Sequence, residues 1–462
     1  MGPPTTRLHV SGYRFLVRRM EHALVRGDAR MLDDPLRAQS LSLAAGAVLA
    51  AVAVAVCAVL AVVRPAGDVG DAAVVVVRET GALYVRVDDT LHPVLNLASA
   101  RLIAGTSAAP RAVSQAAVDR AKRGPLMGIP GAPEQISQPL SGPESLWTVC
   151  DDGRGETTVI AGRIADDAAA PGRTVVVTPR GGSAAATYLL YDGRRARVDL
   201  RHPAVVRALQ LDGVVAQPVS SAVLSAIPEA PAIEPPHIPG LGTAGPGPLR
   251  DHSVGSVVAV ARAGAVEFFA VLAGGVQRIG EVTADLIRYT DSRVGQQIPT
   301  VAPDVIGALP VVDDLPVTTY PDRGGVTAAP VVCVRWQPAV ADSGAHTTVL
   351  AGEAIPGRDR PVPLAQADGD GPAVDAVAVP AGRSVFVRSV GLTALTESGG
   401  SLFLLTDSGV LFAVEDSDAA SRLGLPPTAA AAPWPVLAVL PRGPDLSRGG
   451  ASIARDGIAA TP

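Results

Sequence analysis

LSLAAGAVLAAVAVAVCAVLAVV, residues 41–63, contains no charged side chain. At about 1.5 Å rise per residue such a helix is roughly 35 Å long, enough to cross a ~30 Å hydrocarbon core with some tilt. In lipid each backbone N–H and C=O must find a partner within the segment, so a lone span is helical. A buried core helix and a cleaved signal peptide are the alternatives. The first seldom stays charge-free for so long, and the second sits at the extreme N-terminus with a shorter apolar region, whereas forty residues precede this one. The run therefore reads as a retained anchor. Gly46 and Ala50 form a small-xxx-small pair, a weak signal in so alanine-rich a helix.

The flanks orient the span. Residues 1–40 carry seven arginines against Glu21, Asp28, Asp33 and Asp34, while Arg64, Asp68 and Asp71 follow the span. The positive-inside rule puts the N-terminus in the cytoplasm and residues 64–462 outside. The outer part holds 32 basic and 40 acidic residues. It lacks the basic excess that neutralises phosphates, which argues against a nucleic-acid partner. Four divisions follow: a cytoplasmic segment (1–40), a transmembrane helix (41–63), an exported β-rich core (64–441) and a tail (442–462). The tail is punctuated by Gly and Arg, has little periodic apolar content, and is expected to lack fixed structure.

Within the cytoplasmic segment, residues 11–26 have helical periodicity, with Ser11 as the expected N-cap and Gly27 as the stop. At about 100° per residue, Tyr13, Leu16, Val17, Met20 and Leu24 share an arc of roughly 120°. Arg14, Arg18, Arg19, His22 and Arg26 lie opposite, and Phe15 and Val25 fall off the stripe. Forty residues are too few to bury such a stripe alone, so it docks on a partner or on the bilayer. Tyr13, Leu16, Val17, Met20 and Leu24 are the candidate docking residues.

Cys57 lies inside the span, which leaves Cys150 and Cys333 as the only cysteines of the exported part. An exported domain permits disulfides, so these two form one bridge or stay as two buried thiols. No CxxC spacing occurs and the seven histidines are scattered, so no metal site is expected.

Four segments share a strand, Gly-turn, strand layout: VVVVRETGALYVRV (74–87), TYLLYDGRRARVDL (187–200), VVAVARAGAVEFFAVL (257–272) and LFLLTDSGVLFAVE (402–415). A helical or mixed stretch follows each one. A second correspondence links LWTVC (146–150) and TTVIAG (157–162) with VVCVRW (331–336) and TTVLAG (347–352), each followed by a further strand, VVVTP (175–179) or VAVP (377–380). This reads as an internal duplication that brings Cys150 and Cys333 together. Residues 226–250, rich in Pro and Gly, read as an extended connector.

Motifs that carry chemistry are missing from the sequence. No GxxxxGK loop precedes Lys122, the sole lysine, and no GxSxG, HExxH or EF-hand pattern is found. His92 and His202 each precede a proline and suit turns or caps. The pairs Asp88–Asp89, Asp151–Asp152 and Asp313–Asp314 suit solvated turns. No catalytic or cofactor-binding residue is assigned, and the balance leans against an enzyme.

Three phrases, VSGYRFLVRRMEHALVRGDARMLDDPLR (10–37), LHPVLNLASARLI (91–103) and RGPLMGIPGAP (123–133), together with the single span, resemble the EccB subunit of actinobacterial type VII (ESX) secretion systems. The resemblance covers nearly the whole chain. It implies an α+β architecture, a single transmembrane helix followed by an elongated, internally repeated, β-rich exported domain. It also implies a disulfide, here Cys150 with Cys333. The role implied is structural, in a membrane complex with EccC, EccD and EccE, with self-association through the exported domain and contact with the mycosin protease. A cell-wall-binding module is one alternative. Some family members are labelled ATPases, and no nucleotide-binding residue is carried over here. Residues 123–133 read either as a rigid Pro/Gly loop or as a partner contact.

Overall fold

The computed structural model describes residues 6–27, 35–63, 69–164, 169–181, 186–262, 264–290, 297–338, 344–357, 360–393 and 399–456. Residues 28–34, the flanking Arg64 and Asp68, and the last residues of the expected tail lie outside these ranges. Two helices open the chain, α1 (Arg7–Arg26) and α2 (Pro35–Val63). The β-rich part then repeats one order of elements.

In the first unit β1 (Val74–Val77), β2 (Leu83–Val87) and β3 (Thr90–Val94) form an antiparallel meander, with Gly81 at φ 72° and Asp88 at φ 52° in its turns. Both turns need left-handed backbone, which Gly and Asp accept. Helix α3 (Leu97–Ala104) crosses over, and β4 (Arg111–Val113) returns parallel to β1. The hairpin β5 (Trp147–Asp151) and β6 (Thr157–Ala161) follows. The second unit is β7 (Val175–Pro179), β8 (Thr187–Tyr191), β9 (Arg194–Val198), α4 (Pro203–Ala208) and β10 (Gln217–Val219), again parallel to its first strand. The third is β11 (Val257–Arg262), β12 (Ala265–Leu272), β13 (Gly275–Ile279) and α5 (Glu281–Thr290), its return reduced to the parallel bridge Ala259–Thr300. A second hairpin, β14 (Val331–Gln337) and β15 (His346–Gly352), precedes the fourth unit. That unit is β16 (Arg383–Val390), β17 (Leu402–Leu405), β18 (Leu411–Val414), α6 (Ser417–Leu423) and β19 (Ala430–Pro433), parallel to β16.

The four glycine-turn segments are thus two different hairpins. Residues 74–87 and 257–272 are first and second strands, whereas 187–200 and 402–415 are second and third. Aligned turn to turn they are one strand out of phase, because a glycine turn marks a hairpin without saying which one.

The units meet helix to helix. Ala98 and Leu102 of α3 pack on Ala419, Ala420 and Leu423 of α6, and Arg101 Nη1 donates to the Leu423 carbonyl at 2.8 Å, satisfying a helix end. Val205 and Ala208 of α4 share a core with Val282 and Leu286 of α5. Between the pairs lies a seven-stranded sheet in the order 169–171, β15, β14, β5, β6, 376–378, 362–363. Strand 169–171 follows β6 but pairs with β15, and strand 376–378 follows β15 but pairs with β6. Each half lends a strand to the other. The expected equivalence of VVVTP and VAVP does not hold: 175–179 opens the second unit, while Ala376–Ala378 belongs to the central sheet.

Two low-periodicity stretches are better ordered than expected. In 226–250, Ala230 N–H donates to Arg195 O at 2.7 Å and Ile233 N–H to Arg197 O at 2.9 Å, so residues 230–233 run along β9, while Leu249 is buried in the core of the third unit. In the expected structureless tail, residues 442–456 bury Leu446 and Ala451 and pair Ala454–Arg455 with Leu126–Met127 of the first unit. Anchor positions spaced this irregularly leave no helical or strand period to read.

Gly193, in the β8–β9 turn at φ 71°, lies against β15: a Cβ there would stand 2.0 Å from Thr347 O. Gly193→Ala meets both backbone strain and a backbone clash, and should destabilise the full chain by about 3 kcal/mol or more. Urea unfolding in detergent, followed by circular dichroism, measures it; an unchanged midpoint would contradict this packing.

Candidate functional site: docking helix, span and cross-linked sheet

Helix α1 begins four residues before the expected Ser11. Thr6 is its N-cap, and its hydroxyl bonds the ring of His9 (2.9 Å). Leu8 and Val10, ahead of Ser11, are already within the helix. Gly27 ends the helix in the left-handed region (φ 71°), with its N–H on Ala23 O at 2.9 Å. The five candidate docking residues fall on one stripe: Tyr13, Leu16, Met20 and Leu24 are exposed and Val17 is half-buried. Pro35 opens α2 at its first turn, where a missing N–H is tolerated. Within α2 the stretch Ser40–Val59 is long and apolar enough to cross a membrane, and none of it is buried against the rest of the chain.

Two of the three phrases behind the resemblance, 91–103 and 123–133, build the first unit. Asn96 caps α3, accepting from Ser99 N–H (2.9 Å) and donating to Ile129 O (2.8 Å); Ser99 Oγ accepts from Ile129 N–H (2.9 Å). His92 bonds Pro125 O through Nδ1 at 3.0 Å and packs on Gly124, where a Cβ would stand 2.2 Å from its ring. His92 therefore holds a strap rather than a turn, and His202 caps α4 without a side-chain bond. Residues 123–133 are that strap, with Met127, Gly128 and Ile129 buried. Asn96, a preferred N-cap residue type ahead of an apolar run, is a sequence signal that would have located this cap.

At the centre, β5 and β14 run antiparallel with Cys150 opposite Cys333 and Trp147 opposite Trp336. The cysteines are joined in a disulfide, their Cα atoms 4.0 Å apart and both side chains fully buried. The neighbouring Asp151 departs from the solvated turn expected of it. It is a fully buried strand residue that accepts from Thr157 Oγ1 (2.8 Å), Ser220 Oγ (2.9 Å) and Ser220 N–H, and pairs with Arg180 at 3.3 Å. Burial raises its carboxyl above the usual aspartate range, against the opposing pull of these partners. Asp375, also buried, accepts from Thr157 N–H (2.7 Å), Asp368 N–H (2.9 Å) and Gly369 N–H (2.7 Å). The two carboxylates tie the second unit and strand 376–378 to the cross-linked sheet.

Among the described residues, no group of three or more His, Cys, Asp or Glu side chains is placed to hold a metal ion. An open groove of about 570 Å³ on the third unit has mixed charge, with Glu267 paired to Arg262 (2.9 Å) and Arg278 (3.1 Å).

The family model for the type VII secretion system ESX-1 transport transmembrane domain B matches residues 3–460. A Mycolicibacterium smegmatis protein named ESX-3 secretion system ATPase EccB3 is 37% identical over 99% of this chain and 92% of its own length. The Mycobacterium tuberculosis ESX-5 secretion system ATPase EccB5 is 34% identical over 98% of this chain and 94% of its own. A chain of an intact ESX-5 inner membrane complex superposes with a TM-score of 0.73 at 32% identity, covering 100% of this chain and 98% of that one. The EccB3 dimer from the ESX-3 core complex gives 0.70 at 34% identity, covering 83% of this chain and 100% of that one. Span, strap and cross-linked sheet all fall within the residues 3–460 that the family model matches, and the chain belongs to the EccB family of type VII secretion proteins.

Proposed function

We propose that this protein is a membrane-anchored structural component of a type VII secretion complex. Residues 41–63 anchor it, and the β-rich domain from residue 64 onward is a scaffold outside the cytoplasm. One observation carries the reading: an apolar stretch, Ser40–Val59, that none of the described residues buries follows in sequence a helix whose apolar stripe is largely exposed. The whole-length likeness to chains of ESX inner membrane complexes supports it.

The orientation rests on charge. The arginine-rich first forty residues belong on the cytoplasmic side, and a buried disulfide suits an oxidising compartment for the rest. In this reading Tyr13, Leu16, Val17, Met20 and Leu24 dock on a core subunit of the EccC, EccD or EccE type. The exported domain self-associates and meets the mycosin protease, and solved relatives include a dimer. The relatives' names contain the word ATPase. The sequence has no phosphate-cradling GxxxxGK loop, so the reading assigns no nucleotide site. Wall binding stays a second reading, tested by sedimenting the protein with peptidoglycan.

Leu16→Asp with Met20→Asp should abolish co-purification of partner subunits in mild detergent while leaving the chain in the membrane fraction. Each change puts a charge in the middle of the stripe, which docking would bury unpaired. Undiminished co-elution of the same partners would refute the docking role. Protease added to wall-stripped cells tests the orientation: the β-rich domain should be accessible and residues 7–26 protected.

A further inference from the structure

Helix α1 has a second face that partner docking does not use. At about 100° per residue, Arg7, Arg14, Arg18 and Arg19 spread over the side opposite Tyr13, Leu16, Met20 and Leu24. All four arginines are exposed, and none has an ion pair among the described residues, while His22 on the same side is buried at 5% exposure. Between them lie Leu8 and Phe15, which are 84% and 56% exposed and unexplained by the docking stripe. A face meant only for water has no use for an exposed leucine and phenylalanine among its arginines. Position restricts the occupant. Seven residues separate Gly27 from Pro35, a reach of no more than about 30 Å, and the membrane-crossing stretch starts at Ser40. The helix is therefore tethered beside a bilayer surface.

We propose that this arginine face is an anionic-lipid surface. The guanidiniums of Arg14, Arg18 and Arg19 take headgroup phosphates, for which their planar donors are suited. Leu8 and Phe15 enter the headgroup–acyl boundary between them. The helix lies flat on the membrane and turns the Tyr13, Leu16, Met20 and Leu24 stripe away from it, towards the partner subunit. The proposal rests on the docking assignment of that stripe, and it accounts for apolar residues on both sides of one 20-residue helix.

The test uses the full chain in nanodiscs of phosphatidylcholine alone or of phosphatidylcholine with phosphatidylglycerol, with amide exchange read over residues 7–26. Exchange should slow in the anionic discs and recover at high salt, since surface attraction is screened. Each guanidinium near an anionic surface is worth about fivefold, so Arg14→Gln, Arg18→Gln and Arg19→Gln together should remove roughly a hundredfold of protection. That triple variant should still co-purify with partner subunits. Exchange indifferent to lipid charge would overturn the proposal. So would a triple variant that loses its partners yet keeps the lipid-dependent protection, since the face would then belong to a protein. If Leu16→Asp with Met20→Asp keeps its partners while lipid-dependent protection persists, the docking assignment fails and the lipid face stands.

Discussion

Cys150→Ala with Cys333→Ala should lower the stability of the β-rich domain by about 4–5 kcal/mol, with little change in its folded structure. The two residues are 183 apart in sequence and join the two halves of the central sheet. In the chain-entropy account, a bridge closing so long a loop acts on the unfolded chain, removing many of its conformations. Alanine is preferred to serine because both sites are fully buried, where an unpartnered hydroxyl would add a desolvation penalty. Urea unfolding of the full chain in detergent, with and without reductant in the unfolded state, isolates the effect. The wild type should lose its advantage when reduced, and the double variant should not respond to reductant. On a non-reducing gel the wild type should run faster than the variant. Identical mobility and identical urea midpoints would mean that the two thiols are not bridged in the protein.

Features that depend on neighbours in sequence were legible before the fold was known. The charge-free run 41–63 needed only a length and a count. The hairpins announced themselves by valine-rich runs around glycine, and Gly27 by its place after the last apolar turn of α1. The assignment of Cys150 opposite Cys333 came from matching TTVIAG with TTVLAG, which compares distant segments and so reached further than periodicity could. What stayed hidden depends on partners brought together by topology. The strand exchange in the central sheet cannot be read from period-2 alternation, which fixes a face and leaves the neighbour open. Leu446 and Ala451 pack in the core shared by the first and fourth units without forming a pattern of their own. Ser11 looked like a cap because Ser before an apolar run often is one, yet Thr6, five residues earlier, is the cap the helix uses. The docking stripe was legible as a stripe; what covers it is a property of the assembly.

Asp151 shows where such reading goes astray, and it carries the second large effect. Two aspartates before Gly153 resemble a solvated turn, and Asp152 does make one, accepting from Arg154 N–H and Glu156 N–H at 2.9 Å each. Asp151 closes a strand whose five residues are all buried. Asp151→Ala should destabilise the domain by about 3–5 kcal/mol, because Thr157 Oγ1, Ser220 Oγ and Ser220 N–H lose their acceptor and Arg180 its counter-ion at a fully buried site. Asp151→Asn should be much milder. Its carbonyl oxygen can face Ser220 N–H and Arg180, and its amide can donate to the Thr157 and Ser220 hydroxyls, which rotate to accept. The pair also separates charge from shape by pH. Burial raises the Asp151 carboxyl in the folded chain, so between the ordinary aspartate value of about 3.9 and the higher folded value the native state binds more protons than the unfolded one. Wild-type stability relative to Asp151→Asn should therefore fall as pH rises through that window and level off above it. Urea midpoints of the two proteins, compared at intervals from pH 4 to neutrality, read the difference directly. A wild type that instead gains on the asparagine variant as pH rises would show that Arg180 and the hydroxyls outweigh burial, with the carboxylate held below its ordinary value.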